Sequence, residues 1–407
     1  MSIYYTDDKV TLHHGDCLDV LATLPDASVD AVVTDPPYGL EFMGKDWDAF
    51  GRDTRQPFRG EIQTPDNPYG RSTVRYGGAS SYGGKHLEAM RAFGEWCELW
   101  VAECLRVLKP GGHLLAFGGT RTWHRLAVAV EDAGFEIRDN LAWLYGSGFP
   151  KSLNIVDESG ERTGQGTALK PAFEPIVCAR KPLIGTVAAN VLEHGTGALN
   201  IDATRISAGQ DYLDKCASVV GLDSNRNGHA YGEWTGTRVD SAHKAGRWPA
   251  NVILDEEMAR RLDEQSGTSK SRVGKPRGAA SGDGWGMTAT GAEYSDEGGA
   301  SRFFYVAKAP KSERPVVDGV ARPTVKPLSL AQWLVRLVTP PGGTVLEPFA
   351  GSGTTVEAAM REGFHVVAVE REAGYLPLIR ARIDREHARQ AAEDANHTPS
   401  LFDEAAS

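Results

Sequence analysis

Closely spaced cysteine pairs are missing from this sequence. Its five cysteines lie far apart in a chain of 407 residues, and no two of them form a CxxC pair: Cys17, Cys97, Cys104, Cys178 and Cys216. Zinc sites and disulfide frameworks both rely on regularly spaced cysteines. We therefore expect reduced, mostly buried thiols and no bound metal.

Long apolar runs and an excess of positive charge are also missing. No run approaches the ~20 apolar residues that span a bilayer, and the first ten residues lack the basic and then apolar order of a signal peptide. The formal charge of −10 argues against a protein that coats nucleic acid indiscriminately. We expect a cytoplasmic protein without membrane contact, in which any DNA contact is regional.

Short apolar strands alternate with helical stretches in two parts of the chain. Residues 9–38 read as strand, helix and strand, and this alternation continues to about Leu183 and returns from Pro323. Near-continuous apolar strands are typical of a parallel sheet covered on both faces. We predict an α/β fold with a doubly wound, mostly parallel sheet.

Changes in amino-acid composition along the chain divide this predicted fold into segments. Residues 41–85 are rich in Gly, Arg, Asp, Pro and Tyr and are expected to form a long loop. The predicted segments are an N-terminal part of the core (1–183), an irregular insertion (184–309), a C-terminal part of the core (310–387) and a flexible tail (388–407).

A glycine turn follows the apolar strand at residues 344–349. Gly351 and Gly353 allow close approach of a ligand, Thr354 or Thr355 can cap the next helix, and the amides at its start favour an anion. Glu370 ends the following strand, where it can accept hydrogen bonds from a ribose diol. This pattern favours a nucleoside cofactor over a plain turn, but does not separate NAD from S-adenosylmethionine.

The strand AVVT (31–34) runs into Asp-Pro-Pro-Tyr. Asp35 and the Pro36 carbonyl are acceptors suited to the two N–H groups of a nucleobase amine, and Tyr38 can stack on the ring. Such acceptors would draw the amine lone pair toward an electrophile. A proline-stiffened strand end without function explains the residues equally well.

Together, TDPPYG (34–39) and EPFAGSGTT (347–355) resemble the catalytic and cofactor motifs of amino-DNA methyltransferases, which use S-adenosylmethionine to modify adenine N6 or cytosine N4. The order, catalytic motif first, resembles the circularly permuted β group. Segments such as GRWPANVILD resemble phage and prophage DNA methylases. The resemblance implies a Rossmann-like methyltransferase core and makes 184–309 a target-recognition region.

The resemblance also implies roles for individual residues. The catalytic set is Asp35, Pro36, Pro37 and Tyr38. Asp16, in HHGD, would meet the cofactor's adenine, and Thr324, Lys326 and Pro327 would close over its methionine end. The remaining implied cofactor residues are Glu347, Phe349, Ala350, Gly351, Ser352, Gly353, Thr354, Thr355 and Glu370.

Several alternatives are weighed against this interpretation. Methylation of cytosine C5 needs a thiolate after a proline, and no cysteine here follows one. Related protein and RNA amine methyltransferases carry the glycine turn first. Asp35 favours adenine N6 over cytosine N4, because the cytosine enzymes tend to have serine there. A non-catalytic DNA-binding module is the alternative from another class.

Double-stranded DNA is the expected partner of a monomer or homodimer, with a restriction endonuclease as a further candidate partner. The candidate phosphate contacts are Arg52, Arg55, Arg59, Arg71, Arg75, Lys270, Arg272, Lys275 and Arg277. Each of them can equally be a solvated loop charge. Aromatic residues in the first loop are candidates for holding a flipped base: Trp47, Phe50, Tyr69 and Tyr76.

Overall fold

A computed structural model describes residues 1–39, 85–148, 152–157, 160–208, 223–228, 232–237, 246–270, 297–308 and 325–397. The chain divides into two compact units. The first comprises Met1–Ala142, Phe173–Asn200 and Lys308–Ser407, and the second comprises Trp143–Ala172 and Ile201–Ala307. Residues 143–172, which were predicted to lie in the core, belong to the second unit, whereas residues 184–200, which were predicted to lie in the insertion, belong to the first.

The described strands are β1 (Ser2–Thr6), β2 (Val10–His14), β3 (Val29–Thr34), β4 (Leu108–Phe117), β5 (Glu136–Leu144), β6 (Asn154–Val156), β7 (Arg162–Gly166), β8 (Phe173–Arg180), β9 (Asp223–Gly228), β10 (Gly232–Thr237), β11 (Val252–Asp255), β12 (Ser269–Lys270), β13 (Glu297–Gly298), β14 (Tyr305–Ala307), β15 (Thr344–Glu347) and β16 (His365–Glu370). The described helices are α1 (Cys17–Leu21), α2 (Lys85–Val107), α3 (Trp123–Asp132), α4 (Val187–His194), α5 (Glu256–Ser266), α6 (Leu328–Val338), α7 (Thr354–Arg361) and α8 (Leu376–His397).

A mostly parallel sheet forms the centre of the first unit. Its strand order is β1-β2-β16-β15-β3-β4-β8-β5. The run from β2 to β4 is parallel throughout, whereas β1 is antiparallel to β2 and β8 is antiparallel to β4. The predicted α/β fold is therefore confirmed, with antiparallel additions at both sides of the parallel run.

Helices cover both faces of this sheet. On one face, α1, α2 and α3 bury a cluster that includes Val32 of β3 and Leu346 of β15. The next residue of β3, Val33, points to the other face, where α6 and α7 pack on the strands. Because both faces are covered, the parallel strands are apolar nearly without interruption, as the sequence indicates.

Helix α2 illustrates how the sequence builds this core. Its buried side chains recur at helical spacing: Phe93, Trp96, Cys97, Trp100 and Cys104. Trp96 and Trp100 contact the ring of Phe349, with ring centroids 5.5 and 5.2 Å apart. The core thereby fixes the first residue of the predicted cofactor turn. Cys17, Cys97, Cys104 and Cys178 are buried free thiols.

Strand direction determines which residues meet at one edge of the sheet. The parallel strands β2, β16, β15, β3 and β4 all end there, so the residues that follow them come together. Strand β8 runs the opposite way and begins at the same edge, since its Ile176 pairs with Phe117 at the end of β4. Residues at the start of β8 therefore join the strand ends of the core.

The described part of the second unit contains short antiparallel strand pairs and one parallel pair. Strands β6 and β7 pair antiparallel, as do β9 with β10 and β12 with β13, and β11 runs parallel to β14. Helix α5 begins at the residue after β11. Asp255, the last residue of β11, caps the helix, because its carboxylate accepts from the Met258 amide at 2.6 Å.

Several elements differ from the sequence-based expectation. The expected irregular insertion contains two helices, α4 and α5, and α4 starts directly after its cap residue Thr186, whose hydroxyl accepts from the Ala189 amide. Helix α8 continues to His397, into the segment 388–407 that was predicted to be a flexible tail. Among the helices of the described ranges, none has the length and apolarity required to cross a membrane.

Candidate active site

The Asp-Pro-Pro-Tyr segment forms a fixed turn directly after β3. The Thr122 hydroxyl donates to the Tyr38 carbonyl at 2.7 Å. Gly39 has a φ of 67°, and a Cβ there would lie 2.8 Å from the ring of Phe93. Because only glycine fits this left-handed position against the core, the turn can be held tightly at the end of β3.

Four side chains form a hydrogen-bonded group at this turn, which we call the Asp35 cluster: Asp35, Tyr38, Glu174 and Lys326. The Asp35 carboxylate accepts from the Tyr38 hydroxyl at 2.8 Å and from Lys326 Nζ at 2.8 Å. Glu174 Oε2 lies 3.0 Å from the Tyr38 hydroxyl and 3.2 Å from Lys326 Nζ. Segments distant in sequence thus converge on one carboxylate.

The electrostatics of the Asp35 cluster follow from its burial and its two carboxylates. Burial alone would lower the pKa of Lys326, but the charges of Asp35 and Glu174 raise it above its usual value. Burial raises the pKa of Tyr38 well above its usual value, and the same two carboxylates add to the effect. Lys326 is therefore a cation and Tyr38 is neutral at physiological pH, and the formal charges of the four side chains sum to −1.

Glu174 is the site residue that sequence reasoning missed. It is the second residue of β8, and the antiparallel course of β8 brings it to the edge where the parallel strands end. In the sequence, the only indication of this role is that a glutamate stands just before the apolar run PIVCA (175–179). Without the direction of β8, that position has no predictable partner.

The glycine turn lies between β15 and α7. Gly351 and Gly353 have φ values of 57° and 81°, so both adopt the left-handed conformation that glycine favours. Gly353 is the cap residue of α7, and no side chain caps this helix. The suggested cap by Thr354 or Thr355 is therefore wrong, and the Thr355 hydroxyl instead bonds to Glu347.

Glu347 connects the glycine turn to the end of β3. Its carboxylate is buried and accepts from the Thr34 hydroxyl and from the Phe349 amide, the latter at 3.0 Å. Burial raises the pKa of Glu347 to about 7. The hydrogen bonds to the carboxylate lower this pKa, but their effect is smaller than that of burial. The two predicted motifs are thus joined through one buried carboxyl group.

Glu370 and Asp16 lie at the ends of adjacent strands. Glu370 accepts from the Gly351 amide at 2.6 Å and from the Glu372 amide at 2.7 Å. Asp16 caps α1 through the Leu18 amide. The Gly351 amide is therefore bound to Glu370.

A cleft brings the two motifs together, with about 430 Å³ of space between its walls when the open solvent at its mouth is included. The predicted site residues along its wall are Asp35, Lys326, Glu347, Phe349, Ala350, Ser352, Thr354 and Thr355. Phe117 and Leu334 supply apolar surface.

Two further predicted site residues lie in or next to described elements. Pro327 precedes α6 as its cap residue. Lys270 is the last residue of β12. The remaining predicted residues lie outside the described ranges: Thr324, Arg52, Arg55, Arg59, Arg71, Arg75, Arg272, Lys275 and Arg277, together with Trp47, Phe50, Tyr69 and Tyr76.

Comparisons with known proteins support a common origin for most of the chain. A family model described as DNA methylase matches residues 29–381. The chain is 24% identical over 377 residues to the type II methyltransferase M.HindIII of Haemophilus influenzae, covering 89% of this chain and 91% of that one. It is 26% identical over 133 residues to M.HinfI of the same species, covering 33% and 31%.

Solved structures of similar proteins show lower identity. A protein of Thermus thermophilus described as a DNA modification methylase is 20% identical with a TM-score of 0.41 in its complex with S-adenosyl-L-methionine, covering 92% of this chain and 93% of that one. The cytosine-N4-specific PvuII DNA methyltransferase is 15% identical with a TM-score of 0.46, covering 93% and 88%.

Proposed function

The chain belongs to the DNA methylase family whose model it matches, and from that premise we propose that it methylates the N6 amine of adenine in double-stranded DNA. Membership makes it a DNA methyltransferase that uses S-adenosylmethionine. The proposal adds the target atom, the residues of the site and the route of the base into the cleft.

One observation carries the proposal: Asp35 and the glycine turn line the same cleft. An exocyclic amine is a weak nucleophile, because its lone pair is conjugated into the ring. Asp35 and the Pro36 carbonyl can accept both of its hydrogens, which draws the lone pair toward the cofactor side of the cleft. Pro37 stiffens the turn, and Tyr38 is proposed to stack on the base.

The target base must leave the duplex to reach this cleft. Bound S-adenosylmethionine supplies an electrophilic methyl group on a sulfonium, which becomes a neutral thioether. The amine lone pair forms the new N–C bond, so positive charge develops on nitrogen until a proton is lost. Asp35, hydrogen-bonded to that amine, accepts the proton and passes it to water.

The residues along the cleft fit such a cofactor. The Phe349 ring is held by two tryptophans, and the turn that follows it offers the Ser352, Thr354 and Thr355 hydroxyl groups near an apolar wall. We propose that Glu370 accepts from the ribose hydroxyls and Asp16 from the adenine end. Lys326 and Pro327 are proposed to lie at the methionine end, with Thr324.

The order of the motifs supports two further parts of the proposal. The catalytic turn follows β3, early in the chain, and the cofactor turn follows β15, far later. We propose a circularly permuted member, close to phage and prophage methylases, in which residues 184–309 recognise the target sequence. The type II relatives support a companion restriction endonuclease, and a monomer or homodimer stays our prediction.

The target base is tested by incubating unmethylated DNA with the purified chain and S-adenosylmethionine, followed by mass spectrometry of the digested nucleosides. We expect N6-methyladenine, because Asp35 occupies the position where the cytosine enzymes tend to have serine. N4-methylcytosine would overturn the base and retain the mechanism. DNA binding without any methylated base would favour the non-catalytic module instead.

Glu370→Ala is expected to weaken the binding of S-adenosylmethionine by about 10- to 100-fold, since a carboxylate hydrogen bond of roughly 1.5 to 3 kcal/mol is lost. The rate of methyl transfer at saturating cofactor should change little. Glu372→Ala is the matched control, because it retains the backbone amide that bonds to Glu370. Equal cofactor affinity in both variants and the wild type would remove Glu370 from the site.

A further inference from the structure

We propose that Glu174 is a positioning residue for methyl transfer, which leaves the acceptor oxygens of Asp35 available to the target amine by sharing its two donors, Lys326 and Tyr38. This inference rests on the proposed function, because it concerns the same amine acceptor. Neither the resemblance in sequence nor the matched motifs assign any role to Glu174.

The first observation is that Lys326 is shared between two carboxylates. Its Nζ lies 2.8 Å from Asp35 Oδ2 and 3.2 Å from Glu174 Oε2, and it lies over the ring of Phe117 at 4.8 Å. The ammonium is largely withdrawn from water, with 14% of its side chain exposed. At a site withdrawn from water, opposite charges attract each other more strongly than they do in solvent.

The consequence concerns the charge available at Asp35. If Lys326 were paired with Asp35 alone, the two charges would cancel beside the reacting amine. The amine nitrogen gains positive charge as the N–C bond forms, and a neutral pair stabilises that charge poorly. Glu174 brings a second carboxylate, so the formal charges of the cluster sum to −1 where the positive charge develops.

The second observation is that Tyr38 is also shared. Its hydroxyl has one hydrogen and two acceptors, Asp35 Oδ1 at 2.8 Å and Glu174 Oε2 at 3.0 Å. When an amine enters and needs Asp35 Oδ1, the Tyr38 hydrogen can rotate to Glu174 without being left unpaired. Glu174 thus offers an alternative acceptor for both donors that occupy Asp35.

The test measures single-turnover methyl transfer at saturating S-adenosylmethionine and DNA. Glu174→Gln retains the size and one acceptor of the side chain but removes its charge, and we expect it to slow transfer by about 10- to 100-fold. The cofactor dissociation constant and the thermal midpoint should match those of the wild type. Glu362→Gln, which removes the charge of a glutamate paired with Arg336, is the matched control and should retain the full rate.

A second variant separates this role from a merely structural one. We expect Glu174→Gln to slow transfer several-fold less in a Lys326→Met background than in the wild type, because no ammonium is left there to neutralise Asp35. An equal slowing in both backgrounds would overturn the inference, as would a wild-type rate in Glu174→Gln. A wild-type chain that methylates no DNA would overturn the proposed function and this inference with it.

Discussion

Asp35→Ala is expected to slow methyl transfer by about three orders of magnitude, while the cofactor dissociation constant stays within about twofold. The carboxylate is proposed to accept from the target amine and to take its proton, so both contributions are lost together. The cofactor turn does not depend on Asp35, because Glu370 and the core hold it from the other side. The loss should therefore appear in kcat and not in cofactor binding.

The measurement pairs single-turnover kinetics with a cofactor titration of the same variant. Asp26→Ala is the control: it removes an aspartate that is 79% exposed and paired with Arg106, and it should retain the wild-type rate. Asp35→Asn adds a finer comparison, since it retains one acceptor oxygen and should be less impaired than Asp35→Ala. A variant that loses cofactor affinity as severely as rate would show that Asp35 supports the cofactor site.

The parts of the fold that the sequence predicts are those set by short-range patterns. Apolar runs such as AVV (31–33) and TVL (344–346) mark the buried strands, and the glycine turn follows one of them directly. Parallel strands end at one edge, so it was predictable that the groups after β3 and β15 would lie close together. The α/β architecture and the common cleft both follow from this reasoning.

The parts that the sequence does not predict depend on long-range pairing. The partners in the Asp35 cluster lie 136 and 291 residues apart in sequence. Glu174 reaches the site only because β8 enters the sheet antiparallel to β4, and no local pattern specifies that direction. The helices of the irregular stretch were missed because their caps, Thr186 and Asp255, lie among residues that read as loop.

A buried network of charges between α7 and α8 was also beyond sequence reasoning. Glu357 of α7 is fully buried and pairs with Arg361 at 3.0 Å, with Arg382 at 2.5 Å and with Arg385. Arg382 of α8 is itself fully buried. Helix α7 begins at the glycine turn, so this network holds the helix that follows the turn against the C-terminal helix α8.

Glu357→Ala is expected to lower the free energy of unfolding by about 3 to 5 kcal/mol, because it removes a buried carboxylate that pairs with the buried Arg382 guanidinium. Urea denaturation of the full chain, followed by far-UV circular dichroism, measures the loss. Glu393→Ala removes an α8 glutamate that is 58% exposed and paired with Arg389, and it should cost less than about 1 kcal/mol.

The double variant Glu357→Met with Arg382→Met tests the cause of that loss. Replacing a buried ion pair by apolar side chains of similar size is often neutral, so we expect most of the stability to return. Glu357→Met alone fills the same space but retains Arg382, so we expect it to stay far less stable than the double variant, and equal stability of the two would show that a cavity caused the loss. Equal stability of Glu357→Ala and Glu393→Ala would show that the network contributes no more than an exposed ion pair, and that apolar packing alone holds α7 under the cofactor turn.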